Sequence, residues 1–161
     1  MNSNFFESNN PERLGQWIAL SHRLASISNI IDPHITTRVQ RLGELDCFIM
    51  EMESKIDTKD IFNTTNILYL SHLWILDFNE ILRILDSKDV FFNQFYKKIK
   101  GIRMPLAKHE KEGKNKYGFI AYPIIQTKSC RVGWSTTESE IFFRTDFSID
   151  FLEKSRVRYL A

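Results

Sequence analysis

The spacing of apolar side chains changes character once along the chain, near Tyr117. Before it, apolar residues recur at three- and four-residue steps, the period of a helix with one buried face. After it they gather in short runs rich in Ile, Val and Phe between Thr/Ser turns, the texture of antiparallel strands. The pattern predicts an α+β fold, mainly α: a four- to five-helix bundle over 11–112, then a small antiparallel β-sheet and a C-terminal helix over 117–161. With 161 residues, 1–161 is expected to be a single domain. Such a chain buries a core without disulfides or metals. Thirteen Phe, three Trp and five Tyr are a generous supply for that core.

Helix boundaries are marked by caps. Asn10-Pro11-Glu12 reads as a cap, a first-turn proline and an acidic first turn. Leu14, Trp17, Leu20, Leu24, Ile27 and Ile31 carry that helix to about Ile31. Asp32-Pro33 repeats the signal, and Ile35, Val39, Leu42, Leu45, Ile49 and Met52 give a second apolar stripe. After Asp57-Thr58, a short turn and a main helix from about Thr65 to Asp86 are expected. That helix is apolar nearly all round, hence central to its bundle. Glu80 and Arg83 within it stand three apart and can pair as structural support. Ser87 caps a fourth helix to about Lys100 with an aromatic face of Phe91, Phe92, Phe95 and Tyr96. Gly101 is expected to interrupt it, with helix resuming over 102–112 and bending at Pro105. Strands are expected in 118–126, 129–134 and 139–144. Asp146 or Ser148 then caps a last helix to about Leu160.

The net charge of +2 hides an uneven distribution. Residues 1–87 hold 7 Lys/Arg against 12 Asp/Glu, whereas residues 88–116 hold 9 against 3. A clustered positive charge attracts phosphate whatever the total, although a Lys-rich helix can equally be just solvated. Cys47 and Cys130 have no disulfide-scaffold or metal spacing and read as two buried thiols. No phosphate-cradling glycine loop, nucleophile elbow or His-Glu-x-x-His motif occurs, and the four histidines are scattered, so no cofactor and no metal are expected. His72, beside Trp74, reads as a hydrogen-bonded core histidine. Neither a signal-like start nor an apolar run of membrane-spanning length is present, and the expected location is the cytoplasm.

One segment combines chemistries: Lys97-Lys98-Ile99-Lys100-Gly101-Ile102-Arg103-Met104-Pro105-Leu106-Ala107-Lys108-His109-Glu110. Histidine gives or takes a proton near neutrality. Arginine holds a phosphate through paired hydrogen bonds. Arg103, five residues and then His109 resemble the R-x4-6-H signature of HEPN domains, an all-helical family that usually dimerises. The helix bearing Glu80-x-x-Arg83, followed by an aromatic helix, is similar to that family's helix order. The resemblance implies a homodimer that binds RNA or cleaves it without metal, a possible fit to a stress, toxin or defence role. Arg103 and His109 would then be the catalytic pair, with Lys97, Lys98, Lys100 and Lys108 contacting nucleic acid.

The residues leave other readings open. Arg103 can pair with Glu80, Asp77 or Glu110, and His109 can be a solvated side chain. Six steps of an ideal helix leave Arg103 and His109 about 120° apart. They converge if Arg103 precedes the helix and Pro105 occupies its first turn. The aromatic face can be core or dimer interface, or can stack bases. The alternative function is a non-catalytic protein–protein interaction or regulatory subunit on the same scaffold.

Overall fold

The computed structural model describes residues 10–27, 34–57, 59–86, 89–108, 121–127, 131–137 and 140–160. Four helices come first: α1 (Pro11–Ser26), α2 (Ile35–Lys55), α3 (Ile61–Asp86) and α4 (Val90–Lys108). Three strands follow, β1 (Ala121–Gln126), β2 (Arg131–Thr136) and β3 (Ile141–Phe143). Helix α5 (Arg144–Ser155) and a π-helical turn, Arg156–Leu160, complete the order. The fold is α+β and mainly α, as the periodicity predicts.

The caps explain where most helices begin. Asn10 accepts the Arg13 N–H at 3.1 Å, with Pro11 in the first turn of α1. The Asp32-Pro33 start signal and Ile31 lie outside the described residues.

Helix boundaries differ from the sequence expectation in four places. Helix α1 ends at Ser26 rather than near Ile31, because Ile27 is already extended, its N–H turned back to the Leu24 carbonyl. Helix α3 starts at Ile61 rather than near Thr65, because Asp60 caps it by accepting the Asn63 N–H at 3.1 Å. The Thr64 and Thr65 hydroxyls donate back to the Asp60 and Ile61 carbonyls, which carries that polar stretch inside the helix. Helix α4 runs unbroken through Gly101, because Ile99 and Ile102 on either side are both buried in the core. Its cap is Asp89, which accepts the Phe91 N–H at 2.9 Å; Ser87 lies outside the described residues. Helix α5 begins at Arg144, directly from β3, so neither Asp146 nor Ser148 is its cap.

An aromatic core joins the helices. The Phe78 ring of α3 lies 4.8 Å from Trp74, 4.7 Å from Phe151 of α5 and 6.0 Å from Trp17 of α1. Phe95 of α4 meets Phe151 at 5.0 Å. Edge-to-face pairs of this kind add to the gain from burying the rings. Phe91, Phe92 and Phe95 are thus core rather than a surface for bases. Gly43 of α2 is buried against Trp17, where any side chain would overlap the indole.

The sheet is antiparallel with strand order β1-β2-β3. Its inner face adds Val132, Trp134 and Phe142 to the core. On its other face Gly133 lies under Phe143, whose ring edge would stand 2.7 Å from an added Cβ.

Beneath the sheet lies a buried ion cluster that ties distant segments together. Asp46 of α2 accepts from Arg13 Nε at 2.7 Å, from Trp17 Nε1 at 2.8 Å and from the Arg144 guanidinium. Asp46 and Arg144 are both fully buried. Arg13 also donates to Ser148 Oγ at 2.7 Å. Further along α2, Glu53 accepts from the Thr145 hydroxyl and from the Val132 N–H.

Candidate functional site

Helix α4 carries Lys97, Lys98, Lys100, Arg103 and Lys108 and no acidic residue. At about 100° per residue, Lys97 and Lys98 share a face with Gln94 and Gly101, while Lys100 and Arg103 fall on the flank shared with Tyr96. The first face is one wall of a half-open groove of about 640 Å³. Gln94, Lys97, Lys98, Gly101 and Ile102 line it from α4, and Glu140, Ile141 and Phe142 from the β3 side. Lys97 and Lys98 are exposed. A Cβ added at Gly101 meets nothing within 4 Å, so the groove is open there. Lys98 Nζ lies 5.7 Å from the Phe147 ring centroid, its stem lying along the core edge.

On the other flank, Lys100 Nζ lies 5.6 Å from the Tyr96 ring centroid. Arg103 is half-buried. Its Nη1 reaches Met104 Sδ at 3.4 Å, and its Nε is buried with no partner among the described residues. Glu80 pairs with Arg83 at 2.9 Å, as their spacing predicts. Burial pushes the Glu80 carboxyl up. The Arg83 hydrogen bond and charge, the Asn79 amide and the nearby charge of Arg103 outweigh that and hold it below the usual range. Asp77 pairs instead with Arg38 at 3.4 Å.

The basic residues of the motif are therefore divided between two sides of one helix. Arg103 lies in the helix interior and Pro105 three turns or more from its start, so the placement that would let Arg103 and His109 converge is not the one seen. His109 and Glu110 lie outside the described residues, and Lys108 is the last residue of α4.

The ion cluster has no counterpart among the sequence motifs. Burial raises the energy of the Asp46 carboxylate, but Arg144 and Arg13 overcome this and hold its pKa below the ordinary value. For Glu53 burial wins. The charge of Arg144 and the bonds from Thr145 and Val132 only partly offset it, and its pKa is raised. His72 is half-buried, and burial lowers its pKa. Its Nε2 finds no partner among the described residues, unlike the hydrogen-bonded histidine expected. Cys47 is buried, as expected, and Cys130 lies outside the described residues.

Among the described residues no cluster of three or more His, Cys, Asp or Glu is placed to hold a metal. None of their helices is long and apolar enough to cross a membrane. Comparison with protein-family models, with curated proteins and with solved structures gives no match.

Proposed function

We propose that this chain is an RNA-binding protein that holds the phosphodiester backbone along α4. The observation that carries the reading is the charge of α4: five basic residues in 19 positions with no acidic residue among them, two of them exposed along an open groove. The ammonium groups of Lys97 and Lys98, side by side on the groove face, suit phosphate, because each neutralised phosphate releases condensed counterions. The resemblance to HEPN domains points the same way.

The test is binding of labelled RNA across a salt series. Lys97→Ala/Lys98→Ala should weaken binding and reduce the salt slope by about 1.4, at roughly 0.7 for each phosphate of a single strand that is no longer neutralised. An unchanged slope removes these lysines from the site. The same tubes read cleavage. RNA loss without added metal, abolished by His109→Ala in a folded protein, adds catalysis to binding; intact RNA confines the role to binding.

A second reading, a non-catalytic subunit that self-associates or docks a partner, is favoured by the exposed side of α3. Phe62, Tyr69 and Leu73 lie there at seven- and four-residue steps and are 84%, 61% and 39% exposed. Sedimentation of the wild type against Phe62→Ser/Tyr69→Ser tests it: a dimer that dissociates in the variant supports the reading, and a monomer in both counts against self-association.

A further inference from the structure

The small sheet has two unlike faces. Directly paired residues on neighbouring strands share a face. Trp134 pairs with Phe142, and both point into the core. The opposite face is built of two rows, Tyr122–Ser135–Ile141 and Ile124–Gly133–Phe143, extended by the Gln126–Arg131 pair. Tyr122 is 52% exposed and Ile141 64% exposed. A side chain at Gly133 would meet first the Phe142 carbonyl and then the Phe143 ring edge, so only glycine fits there. The Arg131 guanidinium carbon lies 4.6 Å from the Phe143 ring centroid, held there by Gln126 and Asp146. The Arg131 guanidinium thus lies over the Phe143 ring, with its charge balanced by Asp146.

This face meets the basic groove at β3. Ile141 belongs to both, standing in the outer row of the sheet and lining the groove opposite Lys97 and Lys98. The adjacent strands set Tyr122 two strands away, roughly 10 Å from β3. Two lysines, the apolar Ile141 and then the exposed Tyr122 ring beside the Arg131-covered Phe143 therefore follow one another across the molecule. Proteins that take single-stranded nucleic acid combine these parts, because a base stacks on an aromatic ring or guanidinium plane only when it has left its duplex.

We propose that the outer face of the β1-β2-β3 sheet is a base-stacking platform and that the ligand of the α4 groove is single-stranded RNA. Its phosphates lie along Lys97 and Lys98, and its bases turn across Ile141 onto Tyr122 and the Phe143–Arg131 stack. This rests on the RNA-binding reading above and adds the strandedness and a second contact surface. Among the described residues Glu140 is the one acidic side chain lining the groove, so it opposes phosphate there.

The experiment is fluorescence anisotropy of the full chain with a labelled 12-nucleotide oligouridylate and with an RNA duplex of equal length. The single strand should bind more tightly. Tyr122→Leu, which keeps apolar volume without a ring, should weaken it about 5- to 150-fold with the salt slope unchanged, and Tyr122→Phe should restore binding. Glu140→Gln should tighten it. The exposed position of Tyr122 makes these variants compatible with the fold, and an unchanged thermal melt checks that. Equal affinity for duplex and single strand, or no effect of Tyr122→Leu while Lys97→Ala/Lys98→Ala weakens binding, overturns the platform and leaves the α4 reading intact. No binding of either RNA overturns both.

Discussion

Asp46 is fully buried, yet it is ionised because two arginines from distant parts of the chain and an indole N–H surround it. Removing one partner of a buried ion pair leaves the other uncompensated, which typically costs about 3–5 kcal/mol. Asp46→Ala should therefore destabilise the protein by about that much in urea unfolding; a loss under about 1 kcal/mol would mean that Arg144 finds another partner. The signal for this residue lay in the sequence. Val39, Leu42, Asp46, Ile49 and Glu53 follow three- and four-residue steps on one face of α2, and all five are buried. A hydropathy pattern assigns that face to Leu45 and Met52 instead, because it scores carboxylates as surface. The partners that make burial tolerable lie 33 and 98 residues away, beyond any local window. The same limit applies to the α4 site. Its positive charge was legible, but the division of Lys97 and Lys98 from Lys100 and Arg103 follows from which side of α4 meets the core.

At the scale of elements, capping and packing override break signals. Helix α3 runs through an Asn-Thr-Thr-Asn stretch because Asp60 caps it and the Thr64 and Thr65 hydroxyls donate to backbone carbonyls, whereas α4 runs through Gly101 because Ile99 and Ile102 are held by the core. Glycines in the helices consequently have different meanings. Gly43 lets α1 and α2 approach at Trp17, and Gly43→Ala should cost about 1–3 kcal/mol through overpacking. Gly15 of α1 has nothing within 4 Å of an added Cβ. Gly15→Ala should instead stabilise by about 0.5–1 kcal/mol through helix propensity. Chemical denaturation of the two variants side by side checks both signs. Opposite results would mean that the α1–α2 contact adjusts more freely than a close-packed interface should.

Across the whole molecule, acid stability is set by groups that titrate in opposite senses. His72 has a folded pKa below its ordinary 6.5, so the unfolded chain binds its proton more readily. Stability from neutral His72 is present above pH 6.5 and is lost as pH falls from there through the folded value. Asp46 behaves alike at lower pH: its contribution is present above the ordinary 3.8 and disappears as pH falls through its depressed folded value. Glu53 runs the other way. Its raised folded pKa favours the native state below the ordinary 4.5 and ceases to help as pH rises through the folded value. Thermal melts between about pH 7 and pH 5 should therefore fall less steeply for His72→Gln than for the wild type. Parallel profiles would place the acid sensitivity elsewhere.

Strand β3 passes into α5 without an intervening loop, and the first residue of that helix is Arg144. The order of events during folding follows from this junction. The first two helices can come together early, since their contact is local, but Asp46 has only Arg13 of its two arginines until residue 144 arrives. Closing a loop of about a hundred residues is slow relative to local helix pairing. During synthesis the growing chain must wait for α5 before Trp17 and Phe78 meet Phe151 and before the second arginine reaches Asp46. Helix α5, made after α1 and α2, is the segment that locks them.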